Sequence, residues 1–394
     1  MKRDISFETL AIHAGEEEGK SKNALNNPIY MTSTFTFDNL EHAEKTFSFE
    51  SDDYVYTRGN NPTLKVLEQK VAALENGADA VAFASGMAAI SSVLLSEAGP
   101  GDKVLAHKVL YGSSYNFIKN ILPENKVNSQ LLDFTDLKEI EKNITEDVSI
   151  LYFETPANPN LDIIDINEVV KIAEKYDAKV VVDNTFATPY FQKPLNLGAD
   201  IVIHSATKYI SGHGDVVAGI AISKNQGYIH KLKFDYMAEY GGVLSPFNGW
   251  LLLRGLKTLS IRMKEHEKNA LKIADFLKNH PKIDSVYYPG LSERKDFKII
   301  EKQMSGYGAI ISFELKGNIE KTKSFVNCLD LFQLAVSLGD TESLIEYPFA
   351  MTHRDYTAEE LSELGLSKKL IRISVGLESA KDLIEDLKQA LEEI

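Results

Sequence analysis

From about residue 62 the chain alternates between two hydrophobic periods. Short continuous apolar runs at 80–84, 103–106, 149–154, 179–183, 201–204 and 217–223 predict strands. Between them lie stretches of helical spacing. Residues 63–76 carry Leu64, Leu67, Val71 and Leu74 on one face and stop at Gly77. Residues 86–95, 111–121 and 166–176 predict further helices. Apolar strands separated by helices imply an α/β fold, with a mainly parallel sheet covered on both faces.

The two ends read differently. Up to about residue 60 periodicity is weak, and Asn26-Asn27-Pro28 interrupts it. This predicts an extended N-terminal arm with a short helix over 39–49. An arm with so little core of its own is expected to lie on a neighbouring subunit. Near Leu251 the pattern becomes one long helix over 251–279, through Leu256, Leu259, Met263, Ala270, Ile273 and Leu277. Then follow a strand (310–315), a helix (319–327), two strands (332–336 and 371–375) and an amphipathic helix (379–391). The expected division is an arm over 1–60, a large domain over 61–255 and a smaller α+β C-terminal domain over 256–394.

A hydrophobic share of 44% in 394 residues is ample for a large core. With 57 acidic against 43 basic residues the formal charge is -14, a sign that repels nucleic acid and anionic membrane. No apolar run is long enough to span a bilayer. The charged start lacks an apolar segment of the signal-peptide kind, so a cytoplasmic protein is expected. The single Cys328 excludes a disulfide within the chain. The nine histidines make no HxH or HExxH pattern, so no metal site is expected, and His213 and His353 read as structural hydrogen-bonding groups.

Candidate chemistry concentrates where strands end. Ser205-Ala206-Thr207-Lys208-Tyr209 follows one buried strand, and Asp183 closes another. Open α/β sheets place their ligands at such ends. A lysine there can form a Schiff base with an aldehyde, and an acid can hold a proton on a pyridine nitrogen. Together they suggest pyridoxal 5'-phosphate (PLP). Asp183 alone reads equally as a cap for Asn184-Thr185-Phe186. Ser205 and Thr207 supply hydroxyls for a phosphate. Ser85-Gly86-Met87 opens a helix after a strand, where free N–H groups meet an anion, or is merely a tight turn. Tyr56 and Arg58, in the arm, suit a phosphate or a surface turn. Tyr111 suits stacking on a planar ring, or a core position. Arg372 is a charge inside the apolar run Leu370-Ile371-Arg372-Ile373, which needs a partner. That partner is a substrate carboxylate, or an acid such as Glu378 or Asp340.

In order along the chain, Tyr56-Thr57-Arg58, Ser85-Gly86-Met87, Glu154-Thr155-Pro156-Ala157-Asn158-Pro159, Val182-Asp183-Asn184-Thr185-Phe186 and Ser205 to Tyr209 resemble the PLP enzymes of cysteine and methionine metabolism. That group includes cystathionine γ-synthase, cystathionine β- and γ-lyases, methionine γ-lyase and the homoserine-ester sulfhydrylases. The resemblance implies a fold-type I enzyme, built as a homotetramer of two dimers. It implies that Lys208 binds PLP and moves protons, that Asp183 holds the pyridinium, and that Tyr111 stacks on the ring and acts as an acid. Gly86, Met87, Ser205 and Thr207 would hold the phosphate, joined by Tyr56 and Arg58 of a neighbouring subunit. Asn158 would lie near the ring hydroxyl, and Arg372 would take the substrate carboxylate with Ser337 close by. The loop Ala335-Val336-Ser337-Leu338-Gly339-Asp340 resembles that of methionine γ-lyases. Cystathionine γ-synthases and γ-lyases commonly place a glutamate where Val336 stands. Ser113 takes the position of a cysteine typical of methionine γ-lyases. The expected reaction is α,γ-elimination of L-methionine. The alternatives are cleavage of cystathionine or homocysteine, or γ-replacement on an O-acyl-homoserine. A PLP-binding protein without catalysis is an alternative of a different class.

Overall fold

A computed structural model describes residues 5–16, 23–352, 361 and 364–394. His353, read above as a structural group, lies outside the described residues. Seven strands form the first sheet: β1 (Asp79–Phe83), β2 (Lys103–His107), β3 (Asn128–Leu132), β4 (Val148–Glu154), β5 (Lys179–Asp183), β6 (Ile201–Ser205) and β7 (Gly219–Ser223). Their order is β1-β7-β6-β5-β4-β2-β3. Only β7 runs against its neighbours, β1 and β6. The sheet is therefore mainly parallel, as its continuous apolar strands require.

Both faces are covered. Val81, Val104, Ile150, Tyr152, Val181 and Ile203 pack against the helix Gly86–Glu97. On the other face Leu151, Phe153, Val180 and Val182 meet the helix Ile166–Ala173, and Ala80, Val202 and Ile220 meet the helix Pro62–Glu75. Glu154, Asp183 and Ser205 close β4, β5 and β6, so their side chains collect along one sheet edge.

The second sheet holds β8 (Ile283–Tyr287), β9 (Ile310–Leu315), β10 (Gln333–Leu334), β11 (Leu344–Glu346) and β12 (Leu370–Ser374), in the order β10-β11-β12-β9-β8. It is mostly antiparallel and shares a core with the helices Leu259–Asn279 and Ala380–Glu392.

Some expectations need correction. The helix expected over 251–279 is two helices, Pro246–Leu256 and Leu259–Asn279. Arg262 explains the break. Its Nη2 donates to Gly255 O at 2.9 Å, its Nε to Thr258 Oγ1 at 3.1 Å and its Nη1 to Tyr209 O at 2.8 Å. Gly255 also lies against backbone, because a Cβ there would meet Ser211 O at 2.4 Å. Leu252, Leu256, Leu259 and Met263 stay in one core across the break, so the apolar pattern runs through it unmarked. The helix expected over 111–121 is helical at Gly112–Asn116 and then widens to a π turn at Phe117–Ile121. The strand expected over 332–336 shortens to Gln333–Leu334.

Candidate active site

Lys208 sits in the turn directly after β6, and its Nζ donates to Ser337 Oγ at 3.1 Å. It lines a cavity of about 240 Å³ at the carboxyl edge of the parallel sheet. Enclosure, and then the Arg372 guanidinium, lower the pKa of the Lys208 amine. Both favour the neutral form that can accept a proton.

Asp183 and Glu154 are register partners at the ends of β5 and β4, and both line this cavity. Asp183 accepts from Thr185 Oγ1 at 2.5 Å and Thr185 N at 3.0 Å. Glu154 accepts from Tyr111 N at 2.8 Å. Burial raises both carboxyls, and the Asp183 charge raises Glu154 further. Among the described residues no ion pair joins either one. An enclosed acid at the cavity wall with only Thr185 as donor fits a protonated ring nitrogen. Glu154 carries the same strand-end signal as Asp183, yet the sequence reading passed over it as a site residue.

The opposite end fits a phosphate. Ser85 caps the helix Gly86–Glu97 by accepting from Ala88 N at 3.1 Å. The first N–H groups of that helix lack intrahelical acceptors. Gly86 lies so close to Ser205 that a Cβ would approach Ser205 Oγ to 3.1 Å, and a Cβ on Gly219 would meet Ser85 O at 2.2 Å. Bare backbone and the Ser205 hydroxyl therefore form a cradle open to an anion. Met87 lines it as well. Thr207 lines the cavity, but its hydroxyl donates to Ala218 O at 3.1 Å and accepts from Ala218 N at 3.0 Å.

Tyr111, Asn158, Val336 and Arg372 also line the cavity. Val336 is 59% exposed. Arg372, in the middle of β12, pairs with neither acid named above. Glu378 is bound to Ser343, through its N at 2.7 Å and Oγ at 2.8 Å. Arg372 instead meets Glu346 on β11, Nη2 to Oε2 at 2.5 Å. Its Nη1 donates to Asn158 Oδ1 at 2.9 Å and its Nη2 also to Ser337 O at 3.1 Å.

Three expected residues are not brought together with these within one chain. Tyr56 and Arg58 lie outside the cavity lining. Arg58 Nη1 donates to Glu239 Oε1 at 3.1 Å and to Ala238 O at 3.0 Å on an exposed surface. Ser113 is exposed and outside the lining, because the first turn of a five-residue helix directs it away. His213 Nδ1 hydrogen-bonds Ser211 O at 2.7 Å, a structural contact. No described helix is long and apolar enough to cross a membrane.

Residues 8–392 match the family described as Cys/Met metabolism PLP-dependent enzyme. The chain is 48% identical over 388 residues to an L-methionine gamma-lyase of Fusobacterium nucleatum subsp. nucleatum, covering 98% of each chain. It superposes on cystathionine gamma-lyase from Lactobacillus plantarum, solved with L-serine, with a TM-score of 0.94 at 40% identity over 99% of each chain. It superposes equally, TM-score 0.94 at 33% identity over 98% of this chain and 100% of the other, on a putative O-acetylhomoserine (thiol)-lyase from Campylobacter jejuni that carries a pyridoxyl-lysine phosphate. The mainly parallel sheet with its smaller C-terminal sheet is the fold-type I arrangement, and with cavity, cradle and lysine in place the chain belongs to the Cys/Met metabolism PLP-dependent enzymes.

Proposed function

We propose that this enzyme catalyses α,γ-elimination of L-methionine, consuming one water and releasing methanethiol, 2-oxobutyrate and ammonia. The observation that carries this reading is Val336, an apolar side chain exposed in the cavity wall. It offers nothing to a distal ammonium and suits a thioether methyl. The 48% identity to an L-methionine gamma-lyase supports the same choice.

Bound PLP supplies a protonated ring that takes up the charge left at the substrate Cα. The protein's own residues do the rest. Asp183 holds the proton on the ring nitrogen. The N–H groups of Gly86 and Met87, with the Ser205 hydroxyl and Thr207, would hold the phosphate. Asn158 would lie near the ring hydroxyl. Arg372 fixes the substrate carboxylate, which orients the Cα–H bond for removal. Lys208 Nζ removes that proton and moves a second one from Cβ. Tyr111, in the cavity lining, would pack on the ring and give a proton to the departing sulfur.

The test is 2-oxobutyrate release by the PLP-loaded enzyme with L-methionine and L-cystathionine in parallel. Faster release from methionine, with methanethiol appearing, is expected. Faster release from cystathionine would overturn the argument from Val336 and favour the cystathionine γ-lyase reading.

We also propose a cytoplasmic homotetramer of two dimers, in which the arm over 1–60 delivers Tyr56 and Arg58 to the partner's phosphate. The arm exposes Leu25 by 89%, Met31 by 67%, Leu40 by 70%, Phe47 by 65% and Phe49 by 63%. Apolar exposure of that extent calls for cover. Arg58→Ala and Lys208→Ala chains are each expected to be nearly inactive. Coexpressed, they should regain activity, because one site of each mixed dimer then holds both residues. No recovery would mean that the arm serves its own chain.

A further inference from the structure

Arg372 is 3% exposed and Glu346 is 1% exposed, and they face each other across β12 and β11. The guanidinium meets the cavity, whereas Glu346 stands behind it and is not part of the lining. Glu346 is itself held, because the Thr352 hydroxyl donates to its Oε1. Asn158 and Ser337 take further donors of Arg372, and among the described residues its buried Nε has no partner. The cation therefore stands at the cavity already neutralised by an internal carboxylate.

Two effects of Glu346 oppose each other. It orients the guanidinium, which favours a bound carboxylate, and it cancels the charge, which disfavours one. Asn158 and Ser337 share the orienting task, and nothing else on β11 or β12 shares the charge. With the guanidinium still held by Asn158 and Ser337, loss of the Glu346 charge leaves the cation uncompensated toward the cavity.

We propose that Glu346 is a specificity-determining residue that weakens the grip of Arg372 on carboxylates. Ligands without an α-amino group then leave readily, the 2-oxo acid product among them. An amino-acid substrate keeps its second attachment through the amine and tolerates the weaker grip. This rests on the reading of Arg372 as the carboxylate site.

The experiment measures inhibition by 2-oxobutyrate, and its stabilisation of the PLP-loaded enzyme against heat without turnover. Glu346→Gln keeps an acceptor oxygen for Arg372 and removes the charge. It is expected to lower the inhibition constant roughly tenfold and to enlarge the ligand-induced rise in Tm. KM for methionine should fall while kcat changes less. Glu346→Asp keeps the charge and should move the inhibition constant less than Gln does, and Glu346→Thr, uncharged and suited to a strand, should shift it in the same direction as Gln. Unchanged or weaker product binding in both uncharged variants overturns the proposal. Arg372→Lys separates the two claims. If it leaves KM and the inhibition constant unchanged, the reading of Arg372 fails; if it raises both, only the claim on Glu346 remains under test.

Discussion

Lys208→Ala is expected to lower 2-oxobutyrate release from L-methionine by about 10²–10⁴-fold, the range that a positioned proton carrier contributes, while leaving the chain folded. The amine lines the cavity, and among the described residues its one direct partner is Ser337 Oγ at 3.1 Å. Its pKa is lowered first by enclosure and then by Arg372, so the neutral amine is more populated near neutral pH than that of an ordinary lysine. Removing it deletes a poorly solvated base and leaves the backbone of the turn intact, which is held by Gly212 N to Lys208 O at 2.8 Å. Activity and thermal unfolding measured side by side check the expectation. Turnover within tenfold of the parent, with an unchanged Tm, would remove Lys208 from the proton path.

Legibility in the sequence followed the physics of burial. β5 is visible over its whole length, because a strand covered on both faces needs an unbroken apolar run. β3 is invisible: Asn128-Ser129-Gln130 sits at the sheet edge and carries no period. Lys208, Asp183 and Arg372 stand out as charges at or inside apolar runs. By the same rule Glu154, which closes the apolar run of β4, carries the signal that marks Asp183. Glu346 escaped notice because a three-residue strand gives no pattern. Tyr56 and Arg58 are tied to the phosphate by the family resemblance alone and lie outside the cavity lining of one chain, since in the proposed assembly their destination is another subunit. Ser113 is expected in the site only because it takes the position of a cysteine typical of methionine γ-lyases, and in the first turn of the helix Gly112–Asn116 it is exposed, outside the cavity lining.

Two buried histidines should make the fold sensitive to acid. His107 accepts from Phe134 N at 3.1 Å through Nδ1, which requires that nitrogen to be unprotonated. His266 donates from Nδ1 to Val375 O at 2.7 Å. In both rings Nε2 is buried and, among the described residues, has no partner. Burial lowers both pKa values from 6.5 to about 4. Around His107, Asp133 opposes this and Lys108 adds to it. Around His266, Arg262 adds to it while Glu265 opposes it. The unfolded chain therefore binds more protons than the folded one between about pH 6.5 and 4, and stability falls as pH falls through that window. Each histidine accounts for about 3 kcal/mol across it. The carboxyls of Glu154, Asp183 and Asp340, raised by burial, contribute with the opposite sign. Total stability against pH thus mixes two trends, and a difference isolates one. His107→Asn keeps an acceptor for Phe134 N and removes the titration; His266→Asn keeps a donor for Val375 O. Whatever either variant loses in denaturant stability at pH 7, that loss should shrink by about 3 kcal/mol by pH 4. A loss independent of pH would show that the ring is not held neutral. For His266 the consequence reaches the site, because its ring packs edge-on to Tyr209 at 5.4 Å, the residue after Lys208. Protonation there loads the turn that carries the base, so acid should remove activity before it unfolds the sheet, and activity in His266→Asn should persist to lower pH.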